Sequence, residues 1–194
     1  MSKPLDYFSY ANGVLTSEGV SLDRIAEEVG TPAYVYSAEA FLTPLRAIQE
    51  GLKPLEPLVC FAMKSCSNIA VLKMLGRAGA GMDIVSGGEL HRATVAGIPA
   101  GRIVFSGVGK TDAEMLAALA MAQSGQAIKS FNVESVPELR RLSELATRMG
   151  VKATVALRFN PDVNAKTHPY ISTGLKKNKF GLNRAEVLEV ARKI

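Results

Sequence analysis

Lys64 is the residue whose position most suggests chemistry. It follows the apolar run 58–63 (LVCFAM), and alternation along a strand puts Lys64 on the same face as Cys60 and Ala62. For a lysine that points from a strand tip into a barrel, desolvation or a nearby cation favours the neutral, nucleophilic amine. This is the form that condenses with aldehydes. The same pattern fits a lysine that leaves the strand for solvent, and by pattern alone that second interpretation is the commoner.

Two more polar residues occupy corresponding places in later strand candidates. Asp83 lies inside the run 82–86 (MDIVS), and Arg158 lies near the end of 153–159 (ATVALRF). It would cost free energy to bring a carboxylate, a guanidinium and a lysine together at one end of a barrel, because charged groups lose hydration there. A purely structural role would not justify that cost. An ion pair between Asp83 and Arg158 that bridges strands is the structural alternative.

The elements that must position these residues alternate between strand and helix. The strand candidates are 58–63, 82–86, 103–106, 129–133 and 153–159. The sequence also predicts where the helices between them begin and end. The first begins at the N-cap Asn68 and ends near Gly79. The next two begin with capping boxes, Thr111 with Glu114 and Ser135 with Glu138, and end at Gly125 and Gly150. Such alternation predicts an α/β fold with parallel strands and right-handed crossovers.

The strand spacing of roughly 21–27 residues is close to the module length of a (β/α)8 TIM barrel. About five of the eight strands are visible before a polar segment at 160–181, and another capped helix starts at 183–186. An unclosed barrel leaves two bare sheet edges. We therefore expect residues 37–194 to be the N-terminal part of a barrel in a truncated chain.

Residues 1–36 are expected to form a separate prologue ahead of the barrel. Within it, 21–30 (SLDRIAEEVG) predicts an amphipathic helix, and 34–36 (YVY) predicts a short strand. A long helix over about 38–51 should separate that strand from the first strand of the barrel.

Composition excludes several classes of protein. The 194 residues are 47% hydrophobic and 21% charged with a net charge of +5, which is typical of a globular protein. No apolar run reaches the length of a membrane span, and no secretory signal is present, so we expect a cytoplasmic protein. Two cysteines and two histidines make a metal site improbable, and no basic run is interleaved with aromatic residues as nucleic-acid binding would require. The segment 107–111 (GVGKT) lacks the first glycine of a phosphate loop and is interpreted as a strand–helix turn.

The run 61–65 (FAMKS) resembles the lysine motif of pyridoxal-phosphate (PLP) enzymes with an alanine-racemase-like barrel. Further segments are similar, in order along the chain, to those of diaminopimelate decarboxylases: 8–22 (FSYANGVLTSEGVSL), 29–37 (VGTPAYVYS), 81–90 (GMDIVSGGEL), 102–111 (RIVFSGVGKT), 131–135 (FNVES), 157–163 (LRFNPDV) and 168–181 (HPYISTGLKKNKFG). The last segment is the most specific. The resemblance implies an incomplete PLP fold-type III barrel whose C-terminal β-domain is missing.

The resemblance also implies roles for individual residues. Lys64 would form the internal aldimine with PLP, and Asp83 and Arg158 would lie beside the cofactor, with Arg158 near its phenolic oxygen. A loop that covers the site and reaches the boundary of a homodimer with shared active sites would include His168, Thr173, Gly174 and Lys179.

The implied activity is the decarboxylation of meso-diaminopimelate, a small amino acid, to L-lysine and CO2. The family's groups for the cofactor's phosphate and ring nitrogen belong to later strands, so this chain by itself is expected to be inactive and to bind PLP poorly. The alternatives are a related decarboxylase of arginine, ornithine or carboxynorspermidine, and a non-catalytic PLP-carrier barrel.

Overall fold

The computed structural model describes residues 7–161 and 180–192. The chain divides into two compact units, Met1–Val59 and Cys60–Ile194. This division falls later than the boundary after residue 36 that the sequence suggests, and it places the long helix over residues 38–51 in the first unit.

The first unit contains a small antiparallel sheet that the sequence did not predict. Its strands β1 (Phe8–Ala11), β2 (Val14–Ser17) and β3 (Val20–Ser21) pair in that order. Two tight turns join them at 12–13 and 18–19, where an Asn-Gly and a Glu-Gly pair both have positive φ angles. Two consecutive positive φ angles are typical of two-residue hairpins, and the Asn-Gly pair is the signal that could have revealed this one.

The helices of the first unit agree with prediction, and its predicted later strand does not. Helix α1 (Leu22–Val29) begins at the N-cap Ser21, and α2 (Ala38–Gly51) begins at Ser37. The predicted strand at 34–36 is wrong, because these residues have no regular secondary structure and pair with no strand among the described residues. A strand needs a hydrogen-bonded neighbour, whatever its content of β-formers.

The second unit is built on a parallel sheet with helices after its strands. The strands are β4 (Cys60–Ala62), β5 (Gly81–Ile84), β6 (Ile103–Phe105), β7 (Ser130–Val133) and β8 (Val155–Leu157), hydrogen-bonded in sequential order. The helices are α3 (Ile69–Arg77), α4 (Gly87–Val95), α5 (Asp112–Gln123), α6 (Val136–Met149) and α7 (Arg184–Ala191). The predicted α/β class, the five strands and their parallel order are confirmed.

The register divides the sheet into an outer and an inner face. Residues Ala62, Asp83, Val104 and Ser130 align across β4 to β7, so they share what we call the inner face. The alternate residues form the outer face, and six of them are at most 2% exposed: Met82, Ile84, Ile103, Phe105, Phe131 and Val133. Burial of each such side chain contributes about 1.5–3 kcal/mol. The hydrophobic core therefore lies on the outer face, which leaves the inner face for polar groups.

Capping residues fix where the helices of the second unit begin. Thr111 with Glu114 and Asn183 with Glu186 form complete capping boxes. The capping box predicted for Ser135 and Glu138 is wrong in its second half. The Ser135 hydroxyl accepts from the backbone N–H of Glu138 as expected, but the Glu138 carboxylate accepts from the N–H of Glu134, one residue before the cap.

No helix within the described ranges, 7–161 and 180–192, is both long enough and apolar enough to cross a membrane.

Candidate functional site

A cavity of about 500 Å³ lies where the parallel strands end. Each of the five parallel strands contributes to its lining, either from the strand itself or from a residue that follows it. The lining includes Lys64, Asp83, Ser106, Asn132, Glu134 and Arg158. The structure thus brings together the three residues that the sequence selects from strands far apart in the chain. The carboxyl ends of barrel strands are also where barrel enzymes hold their active sites.

A larger cavity of about 700 Å³ lies elsewhere, beside α6 and α7. Its lining is mostly apolar and includes Leu139, Leu142, Val155 and Val190. It contains none of Lys64, Asp83 and Arg158. We therefore take the smaller, polar cavity as the candidate site.

Lys64 lies in a turn and not on the strand itself. Strand β4 ends at Ala62, and Met63–Ser65 form one turn of 3-10 helix, in which the Ser65 hydroxyl donates to the Ala62 carbonyl at 2.7 Å. Met63 is buried at 1% exposure, whereas Lys64 is exposed and also lines the cavity. The strand alternation therefore ends two residues before Lys64, but the Lys64 amine still lines the predicted cavity and is accessible to a ligand.

Asp83 is held by a relay of hydrogen bonds across the inner face. The Ser106 hydroxyl donates to Asp83 Oδ1 at 2.5 Å, and Asn132 Nδ2 donates to Ser106 Oγ at 2.8 Å. Ser130 in turn donates to Asn132 Oδ1 at 3.2 Å. Residues of β5 and β7, together with Ser106 directly after β6, thus fix the orientation of one carboxylate at the cavity.

The charge of Asp83 also affects a neighbouring thiol. Burial raises the pKa of Cys60, and the nearby carboxylate of Asp83 raises it further. Cys60 is half-buried and shares the inner face with Ala62. A raised pKa keeps this thiol protonated and weakly reactive at neutral pH.

Arg158 follows β8 and pairs with a residue that the sequence did not single out. Its Nη1 donates to Glu134 Oε1 at 3.0 Å, and its guanidinium lies 5.1 Å from the centroid of the Phe180 ring. Among the described residues, its carboxylate partner is Glu134 and not Asp83, so the alternative of an Asp83–Arg158 ion pair is not observed.

Glu134 is the main functional candidate that sequence reasoning missed. Its side chain is 1% exposed, and Oε1 accepts from the backbone N–H of Gly107 at 3.1 Å as well as from Arg158. Its Oε2 has no hydrogen-bond partner within the described part of the chain. The available signal was a carboxylate directly after the apolar end of strand β7, where polar residues face the site.

Lys110 is a buried structural cation. Its side chain is 0% exposed, and its Nζ donates to the Gly107 carbonyl at 2.7 Å, to the Asn132 carbonyl at 2.9 Å and to Glu138 Oε1 at 2.7 Å. An ammonium has three hydrogens, so these bonds use all of them. The segment 107–111 is therefore a strand–helix turn, as predicted, and its lysine has no donor left for a phosphate.

The predicted covering loop lies outside the described residues. This applies to His168, Thr173, Gly174 and Lys179. The chain is described again from Phe180, and Leu182 forms a parallel bridge with Phe159. In residues 7–161 and 180–192, no three His, Cys, Asp or Glu side chains are grouped as metal ligands.

Comparison with known proteins identifies the class. Residues 41–194 match the family described as pyridoxal-dependent decarboxylase, pyridoxal binding domain. The chain belongs to this family of pyridoxal-dependent decarboxylases, and the family's cofactor is pyridoxal 5'-phosphate.

Curated relatives narrow the resemblance to diaminopimelate decarboxylases. The diaminopimelate decarboxylase of Pseudomonas aeruginosa is 53% identical over 178 residues, which are 92% of this chain and 42% of that protein. The one from Vibrio cholerae is 49% identical over 97% of this chain and 44% of its own length. The chain thus spans less than half the length of these relatives.

Solved structures of the same enzyme share the fold. Diaminopimelate decarboxylase from M. jannaschii, in co-complex with L-lysine, superposes with a TM-score of 0.83 at 37% identity, over 97% of this chain and 44% of that chain. The Helicobacter pylori enzyme complexed with L-lysine gives a TM-score of 0.80 at 41% identity, over 87% and 42% of the two chains. The parallel sheet of the second unit corresponds to the N-terminal barrel domain of these enzymes.

The cavity suits pyridoxal 5'-phosphate on chemical grounds. Its volume of about 500 Å³ falls within the range of roughly 300–1,000 Å³ found for small-molecule sites. An accessible primary amine, Lys64, matches the cofactor's aldehyde, and the guanidinium of Arg158 matches an oxyanion. The buried, unpaired Oε2 of Glu134 shows that the polar lining has acceptor capacity that the described protein groups do not use.

Proposed function

We propose that this chain supplies the pyridoxal-binding part of a diaminopimelate decarboxylase, which converts meso-diaminopimelate to L-lysine and CO2. The observation that carries the proposal is the convergence of Lys64, Asp83 and Arg158 on one cavity at the strand ends. It occurs in a chain that is 53% identical to a diaminopimelate decarboxylase. The L-lysine bound to the enzymes of M. jannaschii and Helicobacter pylori supports an amino-acid substrate.

The proposed roles follow from the groups that each residue presents. Lys64 holds the cofactor through its primary amine, because it combines exposure with a place in the cavity wall. Arg158 would donate to the phenolic oxygen of the cofactor, and Asp83 places a fixed negative charge at the cavity. When bound, the pyridoxal ring supplies the electron sink for the bond that breaks. The protein contributes orientation and charge.

The wider setting of the enzyme is also proposed. We propose that the protein works in the cytoplasm, in keeping with the proposed role in amino-acid biosynthesis. We propose a homodimer with shared sites, in which the loop that contains His168, Thr173, Gly174 and Lys179 covers the cavity and approaches the partner subunit. Residues 1–194 alone should bind PLP weakly, because they span less than half the length of the diaminopimelate decarboxylases that they match.

A hybrid protein tests the proposed activity. In it, residues 1–194 replace the matching part of the Pseudomonas aeruginosa enzyme, and Lys64→Ala is compared with Lys73→Ala, an exposed lysine on α3. We expect Lys64→Ala to abolish both the absorbance of bound cofactor and CO2 release, because Lys64 is the only lysine among the described residues that line the cavity. Lys73→Ala should retain both.

Two outcomes would contradict the proposal. One is turnover that survives in Lys64→Ala. The other is a folded, unsubstituted hybrid that shows no absorbance of bound cofactor.

A further inference from the structure

We propose that Glu134 is a positioning residue for the cofactor site, because its buried carboxylate fixes the direction in which the Arg158 guanidinium points. This inference rests on the proposed function, in which Arg158 contacts the cofactor. It concerns a residue that touches Arg158 and acts through it.

The two partners of the ion pair are unequally exposed. The Glu134 side chain is 1% exposed, whereas that of Arg158 is 43% exposed. Glu134 Oε1 is also tied to the backbone N–H of Gly107 at 3.1 Å, in the turn before α5. A long side chain with this much exposure has many rotamers open to it. The anchored carboxylate therefore decides which of them Arg158 adopts.

The Phe180 ring is a second group in contact with the guanidinium. The Phe180 ring centroid lies 5.1 Å from it, within the distance at which a cation is attracted to an aromatic face. Phe180 is itself held by its carbonyl, which accepts from Asn160 Nδ2 at 3.0 Å. Both Glu134 and Phe180 line the cavity together with Arg158. The guanidinium thus contacts both a carboxylate and an aromatic ring at the cavity wall.

The negative charge of Glu134 needs an explanation beyond the fold. Burying a carboxylate costs far more than burying a neutral acceptor. A neutral side chain would satisfy the Gly107 N–H at lower desolvation cost, and Oε2 has no partner within the described residues. The contact that specifically requires a charge is the one to Arg158. We infer that the charge serves the orientation of that cation.

A double-mutant cycle in the hybrid protein tests this inference. Glu134→Gln, Arg158→Gln and the double variant are compared by the dissociation constant for PLP without substrate, titrated by absorbance. Glu134→Gln should weaken binding about tenfold, as expected for loss of a charged hydrogen bond. In the Arg158→Gln background, Glu134→Gln should alter the affinity for PLP by less than about twofold. The effects of the two substitutions are not additive when both residues act through one contact.

The control is Glu144→Gln, which removes an exposed carboxylate from the same helix that follows Glu134 and should leave the affinity unchanged. If Glu134→Gln does not fold, Glu134→Asp completes the same cycle, since it keeps the charge but shortens its reach. An equal loss of affinity in both Arg158 backgrounds would overturn the inference, because Glu134 would then act independently of Arg158. Glu134 variants whose affinity for PLP equals that of the Glu144→Gln control would also overturn the inference. Failure of the proposed function is separate, since it would appear as turnover in Lys64→Ala.

Discussion

At the scale of single residues, Asp83 shows how the inner face organises charge. Its carboxylate is oriented by Ser106, whose hydroxyl is oriented by Asn132. The relay joins residues more than 20 positions apart in sequence, as the separations of 23 and 26 show. Sequence alone identified Asp83 as a polar residue within an apolar strand, but it did not identify the two partners that fix it.

The effect of Asp83 on Cys60 leads to a direct prediction. Since Asp83 raises the pKa of the Cys60 thiol, Asp83→Asn should lower that pKa and increase the reactive thiolate at a fixed pH near 8. Asparagine keeps the oxygen that accepts from Ser106, so the relay should persist. Alkylation of Cys60 by iodoacetamide, followed by peptide mass analysis, should be faster in Asp83→Asn and unchanged in Glu144→Gln. An equal or slower rate in Asp83→Asn would refute the electrostatic link.

Lys110 supports a second prediction at this scale. Lys110→Met leaves Glu138, which is 11% exposed, without its cation and should destabilise the second unit by about 3–5 kcal/mol, as is typical when one partner of a buried pair is removed. The free energy of unfolding in urea measures the loss, and adding Glu138→Gln should recover part of it. Arg141→Gln, which breaks an exposed pair with Asp112, is the control and should have little effect. Equal small effects of the buried and exposed substitutions would show that burial does not strengthen this pair.

At the scale of elements, the carboxylates at the helix starts join neighbouring strand–helix turns. Glu114 Oε1 accepts from the N–H of Gly87, the first residue of α4, and Oε2 accepts from the N–H of its own cap, Thr111. These two backbone bonds lower the pKa of Glu114. A carboxylate with a lowered pKa stabilises the fold above its unfolded pKa and loses that contribution as the pH falls through its folded pKa.

Glu114→Gln therefore gives a pH-dependent result. At pH 7 it should destabilise the second unit by about 1 kcal/mol, the usual value for a lost capping contact that is partly solvated. The difference from the parent should begin to shrink below about pH 4.5, the ordinary pKa of the group, and continue to shrink as the parent carboxylate is protonated. Urea unfolding at pH 7 and at pH 4 measures both differences. A difference that grows towards pH 4 would reverse the sign of this account.

Elements that are determined by residues close together in the sequence could be predicted, and the others could not. The five parallel strands and the caps at Asn68 and Thr111 were predictable, because apolar runs and capping residues act within a few positions. The 3-10 turn at Lys64 was not, since the strand pattern continues through Met63 and gives no sign that β4 ends at Ala62. The pairing of Arg158 with Glu134 was not predictable either. It depends on the register of β7 with β8, which aligns Val133 with Leu157.

At the scale of the whole molecule, the sheet order explains why distant residues meet. The strands are parallel, so their carboxyl ends all lie at the same end of the sheet. Residues at these ends therefore converge on one cavity. The chain spans 42% of the Pseudomonas aeruginosa relative, so its proposed activity is best measured in the hybrid. Whether Lys64 is the residue that holds the cofactor can be measured without any turnover.

The most direct measurement is borohydride reduction of the hybrid with PLP, followed by peptide mass mapping. The reduction converts the linkage between the cofactor and an amine into a stable adduct, whose position identifies the lysine. The account predicts one adduct per chain, on Lys64. An adduct on another lysine, or a hybrid that binds PLP and gives no adduct on Lys64, would contradict it.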